Sequence, residues 1–275
     1  FNSDISTQAR VLKIEIVQAE DNTQFFPDEY LCFDVVISLS QAKTINNDIA
    51  SYTKMLRKDK LKFIFDNGRG RIYWAGHELT KKLGVYTSLR ALGTWHDSYS
   101  SAVWDIKESG DVTECVGRWL HLPLAQLWRV KLEEDNIIML EILISVDEDI
   151  ELDRLQTNVM LTERYKEWFT GKNKGFFPPF NGNADDDWDA IVSNTNDISD
   201  TEFVGVLNND TNLGFIPALK FLSQRIGQGY KLNIVNSDLY HRGRVLQYLS
   251  KKKTILVKGK HPYFKGNIVI LGNEH

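Results

Sequence analysis

Between Tyr86 and Tyr99 the chain gathers aromatic, cationic, acidic and hydroxyl side chains: Tyr86, Ser88, Arg90, Trp95, His96, Asp97, Ser98 and Tyr99. Sugars present apolar C–H faces that stack on aromatic rings, and hydroxyls that need charged or amide partners. A surface segment carrying both kinds suits carbohydrate recognition, with Arg90, Trp95, His96, Asp97 and Tyr99 as its ligand-binding residues. The competing reading has Trp95 and Tyr99 covering the core while Asp97 caps a turn. His96 beside Asp97 also invites acid–base chemistry, because a carboxylate can hold an imidazole in one tautomer. Adjacent strand residues point to opposite faces, however, so these two should not pair with each other. No Gly-x-Ser-x-Gly elbow offers a hydrolase serine, and no catalytic residue is assigned.

Trp104, Trp119 and Trp128 fall in neighbouring predicted strands. On an open sheet face they would form a stacking platform; on an inner face they are core, the more economical reading. Trp119 is kept as a stacking candidate, and Arg118, facing the other way, as a ligand contact. Asn181, Asn183, Asp185, Asp187 and Asp189 place oxygens at alternating positions, like the start of a calcium-binding EF-hand loop. The sixth position is Asp186 rather than Gly and the twelfth is Val192 rather than Glu, which favours a solvated acidic loop. No cofactor is therefore assigned. Asn209, Asp210 and Thr211 form a glycosylation sequon that matters only on an exported chain. Gly68 and Gly70 run into a strand rather than a helix, so phosphate-loop and dinucleotide fingerprints are absent.

These residues need a frame, and the pattern predicts strands. Residues 10–18 alternate with period two, and residues 30–39 are rich in β-branched and aromatic types. Residues 41–60 read as a linker with a short helix near 49–57. Residues 60–65, a turn at Asp66–Gly70, and residues 71–74 read as a hairpin; Ala75 and Gly76 signal a second. Further strands are predicted at 102–108, 115–120, 125–133 and 137–147, separated by short turns. The stretch around residue 90 has no clear period and reads as a loop or sheet-edge excursion. Residues 151–167 fit either strand or helix.

Residues 171–200 hold Gly171, Gly175, Gly182, Pro178, Pro179, six Asp and five Asn, the composition of a long acidic loop. Beyond it, short strands are predicted at 202–207, 215–222, 230–236, 244–249, 254–258 and 267–271. Helices at 213–226 and 239–251 are the rival reading, and Pro217 argues against the first. The expectation is an all-β chain: one large antiparallel β-sandwich over residues 1–275. Its parts are an N-terminal strand pair (1–45), central sheets (60–170), the loop (171–200) and closing strands (201–275).

The 275 residues are 42% hydrophobic and 25% charged, which excludes disorder and collagen-like repeats. No apolar run approaches a membrane span. Cys32 and Cys115 are too few for a disulfide scaffold and match no metal-ligand spacing. The formal charge of -4 is unevenly placed: residues 225–275 carry a net +8 and the remainder -12. No recognition helix or RNA-binding aromatic motif accompanies the basic tail, so nucleic acid is not expected as a partner. With Phe1 in place of a Met or a signal-like stretch, the chain is expected to be a piece of a larger parent protein.

The run 63–168 has Asp66-Asn67-Gly68-Arg69-Gly70-Arg71 leading a hairpin, then Trp95-His96-Asp97-Ser98 and a series of strands. It resembles the galactose-mutarotase-like super-sandwich. Residues 9–39 separately resemble the opening strands of the carbohydrate-binding domain of O-antigen export ATPases. Together the resemblances imply a large β-sandwich whose concave sheet binds saccharides. Mutarotases use a His acid and a Glu base, for which this chain offers no aligned pair, so binding is favoured over epimerisation. The expected function is a non-catalytic carbohydrate-binding domain of a bacterial polysaccharide synthesis, export or remodelling system, its partner a saccharide or polysaccharide. The alternatives are a sugar epimerase or polysaccharide lyase using His96 with a carboxylate such as Glu163, and a protein-interaction module using residues 225–275.

Overall fold

A computed structural model describes residues 53–109, 111–180, 188–192, 203–208, 215–224, 229–250 and 252–272. The chain divides into two units, Phe1–Ile49 and Ala50–His275, and every described residue lies in the second. The predicted strands at 10–18 and 30–39, the acidic residues 181–187 and the sequon at 209–211 lie outside the described residues.

The first strands are β1 (Thr53–Lys58), β2 (Leu61–Asp66), β3 (Arg69–Trp74), β4 (His77–Glu78), β5 (Thr80–Ala91), β6 (Thr94–Asp97) and β7 (Ala102–Ser109). The next are β8 (Val112–Trp119), β9 (Leu124–Glu133), β10 (Ile137–Val146), β11 (Ile150–Leu152), β12 (Arg154–Leu161), β13 (Glu167–Thr170) and β14 (Lys174–Phe176). The last are β15 (Asp189–Val192), β16 (Phe203–Leu207), β17 (Ala218–Ser223), β18 (Tyr230–Asn236), β19 (Arg244–Ser250), β20 (Thr254–Leu256) and β21 (Gly259–Leu271). Among the described residues there is no helix, and so none long and apolar enough to cross a membrane.

Two large antiparallel sheets result. A ten-stranded sheet runs β1-β2-β3-β5-β12-β19-β18-β15, with β4 on β3 and β6 on β5. A nine-stranded sheet runs β14-β13-β16-β17-β21-β10-β9-β8-β7, and β11 pairs with β20 apart from both. They pack face to face as a sandwich around one apolar core. Phe65 from the first sheet meets Trp104 and Trp128 from the second edge-to-face, with ring centroids 5.2 and 5.8 Å apart. The register explains why. In β2, β3 and β10, and in β9 as far as Val130, every second residue is buried and its neighbours are half-buried, as a sheet with one packed face requires. The tight turns match the residues in them: Asn67 and Gly68, and then Ala75 and Gly76, all take positive φ.

Three expectations change. The helix near 49–57 is replaced by β1, whose alternating half-buried and exposed residues pair along β2. Residues 86–99 are not a loop: they form the end of β5, a turn at Leu92 and Gly93, and β6. Six successive residues of β5, Gly84 to Leu89, are buried, so both faces are covered and the alternation that betrays a strand is erased. Part of the acidic loop is also structured, as the β13–β14 hairpin and β15. The open choices at 151–167, 213–226 and 239–251 resolve as strands β12, β17 and β19.

Candidate functional site

The central strands of the ten-stranded sheet bury both of their faces, and the face turned away from the core is polar. Cross-strand partners share a face. Asp97, Ser88, Gln156, Leu249 and Lys231 therefore form one row across β6, β5, β12, β19 and β18. Tyr86, Asn158, Gln247 and Asn233 form the next row. Met160, Val245, Val235 and Ala190 form a third, apolar one. On the other side of the first, Trp95 faces Arg90, which faces Arg154. A cavity of about 460 Å³ lies over these rows, closed on one side by Trp188, Asp238 and His241.

The second row is an amide ladder. Asn233 Nδ2 donates to Gln247 Oε1 at 3.2 Å, and Gln247 Nε2 donates to Asn158 Oδ1 at 3.0 Å. Two polar atoms at its ends have no partner: Asn158 Nδ2, a donor, and Asn233 Oδ1, an acceptor. Both side chains are buried, at 0% and 5% exposure. Turning all three amides over exchanges the two ends but leaves one donor and one acceptor unmet. Asn233 lines the cavity and Asn158 does not, so it is the Asn233 end that a hydroxyl, which both donates and accepts, can satisfy.

The charged groups behave differently from one another. Asp97 accepts a hydrogen bond from Ser88 Oγ at 2.5 Å. Burial nevertheless pushes its carboxyl above the usual range, with the Ser88 bond and the nearby His241 and His96 pulling the other way. Asp238 sits in the turn between β18 and β19, where its Oδ1 accepts the His241 backbone N–H at 2.6 Å. The same carboxylate meets His241 Nδ1 at 2.9 and 3.0 Å. Burial would raise Asp238, but the bonds from His241, together with one from the Trp188 side chain, hold it below its ordinary value. A carboxylate on Nδ1 fixes the orientation of the ring, and His241 lines the cavity.

The position of Asp97 is set by a buried knot directly after it. Ser98 Oγ donates to the Gly68 carbonyl at 2.5 Å and accepts the Thr87 N–H at 3.1 Å. Trp104 Nε1 donates to the Ser98 carbonyl at 2.7 Å. Thr87 Oγ1 and Trp128 Nε1 both donate to Gln126 Oε1, at 2.8 and 3.0 Å. The two segments noted together in the sequence, Asp66–Arg71 and Trp95–Ser98, are thus tied to each other and to the opposite sheet. On the far side of the cavity Arg244 clips the chain before Trp188. It donates to the Pro178 carbonyl at 3.2 Å and lies over the Phe180 ring at 4.1 Å.

Of the residues proposed from sequence, Trp95 and Asp97 come together on the cavity. Arg90 stands beside them, its guanidinium 5.8 Å from the Trp95 ring centroid. His96 pairs with core residue Leu89 and so projects from the opposite face of β6, away from Asp97. Tyr99 lies just beyond, close enough for its charge to bear on buried Tyr86. Arg118 and Trp119 are elsewhere, on β8 of the nine-stranded sheet. Arg118 is exposed there, while Trp119 is core at 6% exposure, with no ring face left for a sugar. Trp104 and Trp128 are core as well. Glu163 pairs with Arg242 at 2.6 Å, not with His96. Of the calcium candidates, Asn181, Asn183, Asp185 and Asp187 lie outside the described residues and Asp189 opens β15.

Sequence reasoning did not single out Arg154, Gln156, Asn158, Lys231, Asn233, Asp238, His241 or Gln247. A signal was present. Arg154, Gln156 and Asn158 alternate with core residues Leu155, Thr157 and Val159, and Lys231 and Asn233 alternate with Leu232. Compared with known proteins, the sequence matches no family model and no curated protein.

Proposed function

We propose that this protein binds a saccharide in the cavity on the outer face of its ten-stranded sheet, as the recognition part of a system that makes, exports or remodels a polysaccharide. One observation carries the reading. Two indoles, Trp95 and Trp188, line the same cavity as Gln247 and Asn233 of the amide ladder, and the Asn233 end lacks a partner. Indoles supply stacking surface for sugar C–H faces, and the Asn233 amide supplies a hydrogen-bonding partner for a hydroxyl. A glycan-array screen of the purified chain tests it. Specific binding, lost in Trp95→Ala and Asn233→Ala while both variants remain folded, is the expected outcome. A folded protein that binds no glycan, or binding that survives both substitutions, contradicts it.

The Asp238–His241 pair favours a second reading, proton transfer on the bound sugar. His241 is oriented by Asp238, and Asp97, with its raised carboxyl, faces the same cavity, so an imidazole and a carboxyl border one bound sugar. An epimerase or lyase would then use His241 rather than His96. Anomer exchange or chain cleavage with a bell-shaped pH profile, abolished by His241→Ala with sugar binding retained, separates this reading from simple binding.

A further inference from the structure

The outer face of the ten-stranded sheet carries an apolar cluster of its own. Tyr86, Met160, Val235 and Val245 form it, apart from the core between the sheets, and Leu83 and Trp188 pack against it. Leu83, Trp188 and Val235 also line the cavity, together with Ala190, which stands opposite Val235 in register. One end of the cavity is therefore apolar, with aliphatic groups beside the Trp188 ring. Sugar hydroxyls gain nothing from such a surface, because a hydroxyl set against it leaves hydrogen-bonding capacity unmet.

The amide ladder runs directly beside this end. Asn233 is two residues before Val235 on β18, on the same face and roughly 6.7 Å away along the strand. Its Nδ2 donates to Gln247 at 3.2 Å, and its Oδ1 has no partner, in a side chain 5% exposed. The seat asks for a hydrogen-bond donor next to an apolar group. A hydroxyl meets the first demand alone, whereas an acetamido group meets both. Its planar trans amide puts the N–H and the methyl on one edge and the carbonyl on the other. With the N–H on Asn233, the methyl falls toward Val235 and Ala190 and the carbonyl points away from the sheet. Were the ladder turned over, the same group would take the Asn233 N–H with its carbonyl.

We propose that the cavity takes a saccharide bearing an acetamido group, its N–H donating to Asn233 and its methyl seated against Val235, Ala190 and the Trp188 ring. The proposal rests on the saccharide-binding reading. Its test is an array carrying N-acetylhexosamine, free-amine and plain hexose glycans. The best N-acetylated oligosaccharide is then titrated against its counterpart with a hydroxyl in place of the acetamido group. N-acetylated glycans should dominate the hits, and the replacement should weaken binding about tenfold or more. Saturation-transfer NMR on the complex should find the acetyl methyl the most strongly saturated group of the ligand. Ala190→Gln, at an exposed position of β15, sets a polar side chain in the methyl seat and should weaken binding about fivefold or more. Should that variant fail to fold, the titration and the NMR measurement carry the test. Hits confined to glycans without the acetamido group, a methyl no more saturated than the ring protons, or a folded Ala190→Gln that binds as the parent does overturn the acetamido assignment but leave saccharide binding standing. No binding to any glycan by the folded protein removes both.

Discussion

Asp97 and Asp238 border the same cavity, yet their surroundings drive them in opposite directions. Asp97 is raised by burial, so its ionisation opposes folding: stability falls as pH climbs from near 3.8 through its higher folded value. Asp97→Asn should therefore raise the melting temperature at neutral pH, and the gain should vanish toward pH 4. Asp238 is depressed by its His241 and Trp188 bonds, so its contribution is full above the unfolded value near 3.8 and is lost as pH falls through its folded value. Asp238→Asn should cost about 1–3 kcal/mol at neutral pH, measured by urea unfolding, and converge with the parent in acid. A variant curve parallel to the parent's at all pH values would contradict either assignment. At this scale the sequence revealed Trp95 and Asp97 because they stand close together in the chain. It hid His241, which reaches them only through a turn 144 residues later.

The β2–β3 and β5–β6 hairpins hold the site through backbone geometry rather than through the cavity residues. Gly68 has φ +84°, and a Cβ there would lie 2.3 Å from both the Ser98 carbonyl oxygen and Trp104 Nε1. Gly76 has φ +87° but open space around it. Gly68→Ala should thus cost about 3 kcal/mol or more and loosen the Asp97 turn, whereas Gly76→Ala should cost only about 1 kcal/mol. Denaturant unfolding of the two variants compares the same turn strain with and without the clash. Ser98→Ala should also destabilise by about 2–4 kcal/mol, because it strips partners from the buried Thr87 N–H and Gly68 carbonyl. Strands such as β2, β9 and β10 were legible in the sequence because one face is wet and the other dry. β5 was not, since its central residues are buried on both sides. The turn residues Asn67 and Gly68 marked the hairpin, but nothing local could show that Ser98 would close over it.

The described part of the molecule, within the unit Ala50–His275, is a sandwich whose sheets differ in kind. β8 to β10 of the nine-stranded sheet alternate buried and half-buried residues, the pattern of a simple core-and-solvent partition. The central strands of the ten-stranded sheet carry polar residues on a second buried face, which costs desolvation unless those groups find partners. The all-β class and the antiparallel pairing followed from period-two patterning and turn spacing. Which sheet would carry the cavity did not, because that depends on pairings between strands far apart in sequence, such as β5 with β12 and β12 with β19. The central claim, a saccharide seated on that second face, is tested most directly by hydrogen exchange with the best-binding glycan present and absent. The account predicts added protection in β5–β6, β12, β18 and β19 and in the turn holding Asp238 and His241, with β8 to β10 unchanged. Protection centred on β8 to β10, or a bound glycan that leaves the ten-stranded sheet's exchange unaltered, would contradict it.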